Sequence, residues 1–289
     1  MIAVRLQGRL GNQMFQYAFI LISANQLNTS FYLDQYIYIS VLDKYFDGLT
    51  GITHQAASCI FNIKGYKNLF NYHLRKKSYR FLEGFHKLAV KDYQEQPGSS
   101  PVIASDKSLY LGFFQSENFF KGHEKLIRKK FSLKQGLVNQ FEKKYGDLYR
   151  NNFTVTVHIR RTDYQNLAHL NLGGDDLSLP LAYYKKAIAR FNGQSVHFVF
   201  ISDDLPFVQD NFGYIAHKTI SADTEINDFQ HLLNADACII SNSTFSWWGA
   251  WLNKKANTLV YAPKYFLGWR IQQQTPAEIY PDNWIQLDF

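Results

Sequence analysis

The chain has 289 residues, with 31 Lys and Arg against 24 Asp and Glu, a formal charge of +7 and a hydrophobic share of 46%. A chain of that length buries about 75% of the surface it exposes when unfolded, and it divides into one or two domains. Its apolar content excludes a disordered, collagen-like or low-complexity protein, and its two cysteines, Cys59 and Cys238, exclude a disulfide scaffold and a Cys-type structural zinc site.

Residues 2–6 read as a strand, followed by a glycine-rich turn and a helix over 12–27 buried on most sides. Arg5 and Arg9 ahead of the apolar stretch 14–24 mimic a secretory signal, but Asn12, Gln13 and Gln16 interrupt it, and strand, turn and helix explain the same residues better. Residues 31–33 predict a second short strand. Segment 40–100 reads as helices around an aromatic core. Residues 108–113 predict a strand, with a helix over 119–130. The polar stretch 143–152 predicts a domain joint, giving a first unit 1–150 and a second 151–289. Beyond it come a strand (153–160), a helix (181–191), a strand (196–202), a helix (227–233), a strand (237–241), a helix (244–252) and a strand (258–261). Short β-branched runs alternating with helical patterns predict α/β architecture: two Rossmann-like, doubly wound domains with parallel sheets, facing across a cleft. No run reaches the roughly 18–20 apolar residues that span a bilayer. The chain therefore reads as soluble, and its sparse cysteine points to a reducing cytoplasm.

The positive charge is concentrated. Between Lys64 and Lys91 stand eight basic residues and one acid, Glu83, so this segment accounts for the whole formal excess of +7. Phe61, Tyr66, Phe70, Tyr72, Tyr79, Phe81 and Phe85 interleave with the charges. Three readings compete: a nucleic-acid groove, a surface resting on anionic lipid, and a solvated helical face with its aromatics in the core. Of the two functional readings, lipid is preferred.

Open parallel sheets bind ligands just beyond the carboxyl ends of their strands, so the chemistry is sought there. Strand 153–160 runs into Arg161, Thr162, Asp163 and Tyr164, and alternation puts His158 and Arg160 on one side. A guanidinium grips two phosphate oxygens bidentately, and the histidine beside it suits a base, a ribose or a phosphate. Strand 196–202 ends in Asp203 and Asp204, where a carboxylate accepts the paired N–H donors of guanine or bonds ribose hydroxyls. One of the two is expected to cap the following helix. No third acid or suitably spaced histidine accompanies them, so a metal site is not expected. After strand 237–241, Asn242 and Ser243 lead into a helix start. There the backbone N–H groups of Ser243, Thr244 and Phe245, with the two hydroxyls, make an anion pocket. It has neither the glycines of a P-loop nor a dinucleotide fingerprint. Trp247, Trp248 and Trp251 read as core packing, and Cys238 as a buried small hydrophobe. In the first half, Gly8 and Gly11 let backbone approach a ligand, and Asn12 opens the helix, where its amide caps or donates. Together these residues describe a pyrophosphate-sized anion site without a metal cluster, suited to a nucleotide-sugar transferase.

The segments GRLGNQMFQYA (8–18), HIRRTDY (158–164) and SNSTFSWWG (241–249) are similar to those of the bacterial α-1,2-fucosyltransferases, relatives of the animal blood-group H enzymes. GFFQSE (112–117) also resembles a segment of that family, and the likeness extends from residue 1 to about residue 265. Segment 40–100 carries no family pattern, and acceptor choice is expected there. The resemblance implies a two-domain GT-B fold, GDP-β-L-fucose as donor, inversion at the anomeric carbon and no required metal or other cofactor. It implies transfer to the 2-hydroxyl of a galactosyl residue of a glycan, in the assembly of a bacterial surface polysaccharide such as O-antigen.

By the same resemblance Arg160 holds the β-phosphate, and His158 with Asp203 or Asp204 reads guanine or ribose. Asn242, Ser243, Thr244 and Phe245 line the phosphate site, and Asn12 approaches the donor from the first domain. Arg161 points away from Arg160 and braces Asp163. An inverting transfer deprotonates the acceptor hydroxyl opposite the leaving GDP. Asp163 is the first candidate base and Glu117 the second, and a loose transition state needs little base help. The acceptor is expected to be a galactose-containing oligosaccharide, lipid-linked at the inner face of the cytoplasmic membrane, which would give the basic segment an anionic surface to rest on. Three alternatives stay open: a fucosyltransferase of other linkage (α-1,6 or protein O-linked), a non-catalytic GDP-sugar sensor, and a nucleic-acid module resting on charge alone.

Overall fold

Four strands, β1 (Ile2–Arg5), β2 (Phe31–Asp34), β3 (Ala89–Asp92) and β4 (Ser108–Leu111), form a wholly parallel sheet in the order β2-β1-β4-β3. This is seen in a computed structural model that describes residues 1–51, 69–93 and 102–289, with side chains in the second stretch from Tyr72 onward. Parallel strands need crossover helices, and these cover both faces. Helix α1 (Leu10–Gln26) stacks Phe19 against Phe114 at 3.8 Å and edge-on to Tyr110. On the other face, Tyr79 and Leu82 of α2 (Leu69–Phe85) pack with Ala3, Tyr32 and Leu109. Helix α1 begins at Leu10 rather than Asn12, with Arg9 as an extended N-cap. The helix expected over 119–130 is instead a single turn at Glu117–Phe119 and α3 (Glu124–Lys130), because Gly122, at φ +84°, interrupts it in a left-handed conformation.

The chain divides into two units between Leu133 and Lys134. That is earlier than the expected joint at 143–152, which lies inside α4 (Gln135–Asn151). The polar run is the exposed part of an amphipathic helix. Its buried Phe141, together with Tyr145 and Tyr149, packs around His231.

The second unit holds six parallel strands: β5 (Phe153–Ile159), β6 (Val196–Ser202), β7 (Lys218–Ser221), β8 (Ala237–Ile239), β9 (Leu259–Pro263) and β10 (Ile285–Leu287). Their order is β10-β9-β8-β5-β6-β7, so the sequence runs outward from β5 to one edge and then from β8 to the other. This is the doubly wound arrangement, and its switch point lies between β5 and β8. The helices are α5 (Leu181–Ile188), α6 (Leu205–Phe212), α7 (Glu225–Asn234) and α8 (Thr244–Trp251).

The central strand β5 alternates although both of its faces are buried. Val155, Val157 and Ile159 join an apolar cluster with Tyr183, Tyr184, Phe191 and Phe200. On the opposite face Thr154 bonds Asp236, Thr156 donates to the His231 carbonyl, and His158 meets Ser241. Each of these three buried side chains has a partner, as low-dielectric burial requires. Among the described residues no helix is long and apolar enough to cross a membrane.

Candidate active site

The carboxyl ends of β5 and β8 adjoin at the switch point of the second sheet, and most of the sequence-derived residues collect there. His158, the penultimate residue of β5, is buried, with Nδ1 2.8 Å from the Ser241 Oγ. Burial, aided by the positive charge of Arg160 and opposed by Asp203, depresses its pKa to about 3. The imidazole is therefore neutral at physiological pH. Its ring packs on that of Phe245, which also meets Phe229 edge-on. The Phe245 side chain is thus a packing element, and its backbone N–H is the part suited to a ligand.

Just beyond β5 the chain turns, and five charges lock into one another. Arg160 grips Asp163 bidentately, Nε to Oδ1 at 2.7 Å and Nη2 to Oδ2 at 2.6 Å, with Asp203 at 3.4 Å from its Nε. Asp203 also accepts from the backbone N–H of Arg161 and Thr162 and from the Thr162 hydroxyl. Although burial opposes it, these bonds and the Arg160 charge hold Asp203 below the usual carboxylate range. Asp204 caps α6 by accepting from Phe207 N–H, and it receives Arg161 Nε at 3.0 Å.

One expectation is corrected here. Arg161 braces Asp204 rather than Asp163, because its side chain turns to lie over Phe207, 3.9 Å from the ring centre. As expected, one of the two acids caps the following helix: it is Asp204, while Asp203 holds the loop after β5. Asp163 in turn has both oxygens on Arg160, which makes it the fork's brace in this state.

After β8, Ser241 and Asn242 are buried and Ser243 is the N-cap of α8. The Ser243 side chain makes no capping bond, so its hydroxyl is not spent on the helix. Asn242 donates Nδ2 to the Leu177 carbonyl and its own carbonyl accepts from Tyr164, while its Oδ1 is buried with no hydrogen-bond partner among the described residues. The start of α8 thus brings backbone N–H groups and the Ser243 and Thr244 hydroxyls to the same sheet end as the Arg160 guanidinium. This is the chemistry of an anion site. Trp247 and Trp248 are fully buried and Trp251 nearly so, with Trp247 Nε1 bonded to the Ile279 carbonyl, as core residues should be. Cys238 is also buried, which pushes its thiol up to about 12. Among the described residues no three His, Cys, Asp or Glu side chains converge as a metal site would need.

Sequence reasoning missed one acid. Asp228, on α7, accepts from the hydroxyl of Ser221, the last residue of β7, at 2.5 Å. Burial pushes it up to about 6; Asp223 and Glu225 add to that and Ser221 opposes it. It lies at the ligand end of the sheet, but it stands alone in a helical stretch with no motif around it.

The first unit repeats the logic with neutral groups. Its strand order reverses between β1 and β4, and beyond their ends Asn12 Oδ1 accepts from Gln115 Nε2 at 3.0 Å. Asn12 therefore sits in the first turn of α1 and is held from the β4 side instead of capping the helix. Gln16 accepts from Gln7 N–H and donates to the Gly112 carbonyl. Gln13 bonds the Gly8 and Ile39 carbonyls and accepts from Val41 N–H. The residues that interrupt a signal-like stretch are thus the staples of its ligand-side loops. Glu117 follows β4 on the short turn Glu117–Phe119.

Comparison with known proteins shows the family and the fold. The chain is 30% identical to an α-1,2-colitosyltransferase of Escherichia coli, covering 99% of each chain. It is 28% identical to the O-antigen biosynthesis glycosyltransferase WbnK of the same species, over 98% of this chain and 99% of that one. Among solved structures it is similar to the α-1,6-fucosyltransferase NodZ of Bradyrhizobium, co-crystallised with GDP, at TM-score 0.51 and 12% identity over 87% of this chain and 92% of that one. It is also similar to POFUT1 in complex with GDP, at TM-score 0.53 and 12% identity over 90% and 97%. These two likenesses establish the GT-B-like fold. The sequence pattern of glycosyl transferase family 11 matches residues 1–288, and the chain belongs to that family.

Proposed function

We propose that this glycosyltransferase moves L-fucose from GDP-β-L-fucose to the 2-hydroxyl of a galactosyl residue, with inversion and without a metal, in the assembly of O-antigen or a related surface polysaccharide. The observation that carries the reading is the meeting, at the β5–β8 switch point, of the Arg160 fork with the start of α8, Tyr164 lying under the guanidinium and donating to the Asn242 carbonyl. As the bond from the anomeric carbon to the β-phosphate oxygen breaks, its electron pair leaves with GDP. Arg160 and the N–H groups of Ser243, Thr244 and Phe245 neutralise that charge, the electrostatic contribution that dominates such transfers. The acceptor oxygen forms the new bond, and its proton passes to a carboxylate or to water.

Asp163 first orients Arg160. When a phosphate takes over the guanidinium, Asp163 is released and becomes the first candidate for that proton, with Glu117 second. Neutral His158 is suited to bond a ribose or base. With Asp203 and Asp204 committed elsewhere, Asp228 is the acid suited to accept the two N–H donors of guanine. The first unit takes the acceptor. Sparse cysteine supports the cytoplasm as the compartment.

Colitosyl transfer from the corresponding GDP-activated donor is the second reading, favoured by the 30% identical relative of that name. The test is a transfer assay with each donor against galactose-terminated oligosaccharides, with chelator present and Arg160→Ala as control. NMR of the product reads the linkage. Retention at the anomeric carbon, a linkage other than α-1,2, or turnover lost on chelation would each sink the corresponding part of the proposal.

A further inference from the structure

Helix α2 presents a solvent face of unusual composition. Its exposed residues, His73, Lys77, Arg80, Phe81, Gly84 and Phe85, fall on one stripe, opposite the Tyr79 and Leu82 that enter the core. Phe81 and Phe85 are 68% and 66% exposed, and their rings stack on each other at 5.9 Å. A helix that has already buried one apolar face has no folding reason to place two aromatics on the other. The acid of this helix, Glu83, turns away to pair with Arg5. The stripe therefore carries cations beside its aromatics, and exposed Lys87 and Lys91 follow it, with Asp92 closing β3. It also lies in the segment that accounts for the whole formal charge of the chain.

We propose that this stripe docks the enzyme on an anionic phospholipid bilayer. Phe81 and Phe85 insert at the headgroup–acyl boundary, and Lys77, Arg80 and Lys87 contact the lipid phosphates. Paired aromatics flanked by basic residues are the composition of an interfacial helix. A nucleic-acid groove stacks bases on separate rings, whereas these two rings stack on each other. The inference is independent of which sugar is transferred.

The test is co-sedimentation of the full chain with vesicles of phosphatidylcholine alone, or with a quarter of the lipid replaced by phosphatidylglycerol. The wild type is expected to bind the anionic vesicles and to release them as salt rises. Phe81→Ser with Phe85→Ser lowers partitioning about tenfold or more, and Lys77→Glu with Arg80→Glu and Lys87→Glu removes the preference for anionic lipid. Hydrogen exchange on the wild type, which needs no variant to fold, is expected to show vesicle-dependent protection within 77–91. The proposal is overturned by equal binding to both vesicle types, by serine variants that sediment like the wild type, or by unchanged exchange. Concentration-dependent self-association that the serine variants abolish, without vesicle binding, also overturns it.

Discussion

The Nδ1 of His158 stands 2.8 Å from the Oγ of Ser241, so one hydrogen bond joins the ends of the two strands between which the second sheet reverses its order. Ser241→Ala leaves a buried imidazole nitrogen without its partner and is expected to cost about 1–3 kcal/mol, read by urea denaturation at pH 7.5. The histidine also sets an acid limit. Its folded pKa lies near 3, so the folded state keeps the ring neutral while the unfolded chain binds a proton below about 6.5. Its contribution to stability is full above that value and is lost as pH falls from there toward 3. His158→Asn is expected to flatten the loss of stability over that interval.

Arg160 and Asp163 form a fork-to-fork pair, and their variants should differ in kind. Arg160→Ala is expected to lower kcat/KM by at least ~100-fold, as removal of a preorganised donor to a developing charge does. Arg160→Lys should recover little, because an ammonium cannot reproduce the planar two-point grip. Asp163→Asn keeps the shape but weakens the brace, so a loss of about 10-fold or more in kcat with little change in melting temperature is expected. Steady-state kinetics on folded variants decide it.

Asp228 gives a pH signature of opposite sign to His158. Its folded pKa, about 6, is raised by burial first, so the folded state disfavours the carboxylate. Its contribution to stability is favourable below the unfolded value of about 3.9 and is lost as pH rises through 6. Asp228→Asn is expected to stabilise the apo protein at pH 7.5 by on the order of 1–2 kcal/mol. The same substitution should weaken GDP binding and erase its preference over IDP, which lacks the guanine amino group. In the wild type, GDP affinity should fall as pH drops below 6. Calorimetric titrations at pH 5 and pH 7.5 would show it.

Gly8 holds φ +72°, and a Cβ there would lie 2.3 Å from the Asn12 amide nitrogen. Gly8→Ala is expected to cost about 1–3 kcal/mol in backbone strain and to displace Asn12 from Gln115. Transferase activity should therefore fall further than stability alone explains. Gln16→Leu strips partners from a backbone N–H and a carbonyl together, at a cost of about 2–5 kcal/mol. Thermal melts paired with activity at a temperature where both variants are folded separate the two effects.

The α/β class and the strands β1, β2, β4, β5, β6, β8 and β9 were legible because each is a run of β-branched or apolar residues followed by a turn. The strands that escaped, β3, β7 and β10, are all edges of their sheets and three or four residues long, and each buries at most one residue. These three bury too little to impose a pattern, whereas the edge strand β2 buries three of its four residues. The loops after β5 and β8 could be singled out because a parallel sheet fixes where its strands' carboxyl ends lie. What one sequence did not reveal was which charge pairs with which. Asp203 and Asp204 are adjacent and chemically alike, and only folding sends one to Thr162 and the other to a helix cap. The basic segment was readable as charge, but its exposed aromatic pair became visible only when α2 had a buried side. The part of that segment that includes Lys64 and Lys67 lies outside the described residues, as does Cys59.

The loops that flank the two switch points are fastened by different kinds of bond. In the first unit the tethers are amides: Gln13, Gln16 and the Asn12–Gln115 pair. In the second they are ions: Arg160 with Asp163 and Asp203, and Arg161 with Asp204. Dissolved electrolyte weakens the second kind and leaves the first untouched. As ionic strength rises, the loop after β5 should therefore slacken before those of the first unit do, and, if the proposed roles of the two units hold, the Michaelis constant for the donor should climb while that for the sugar recipient stays nearly level.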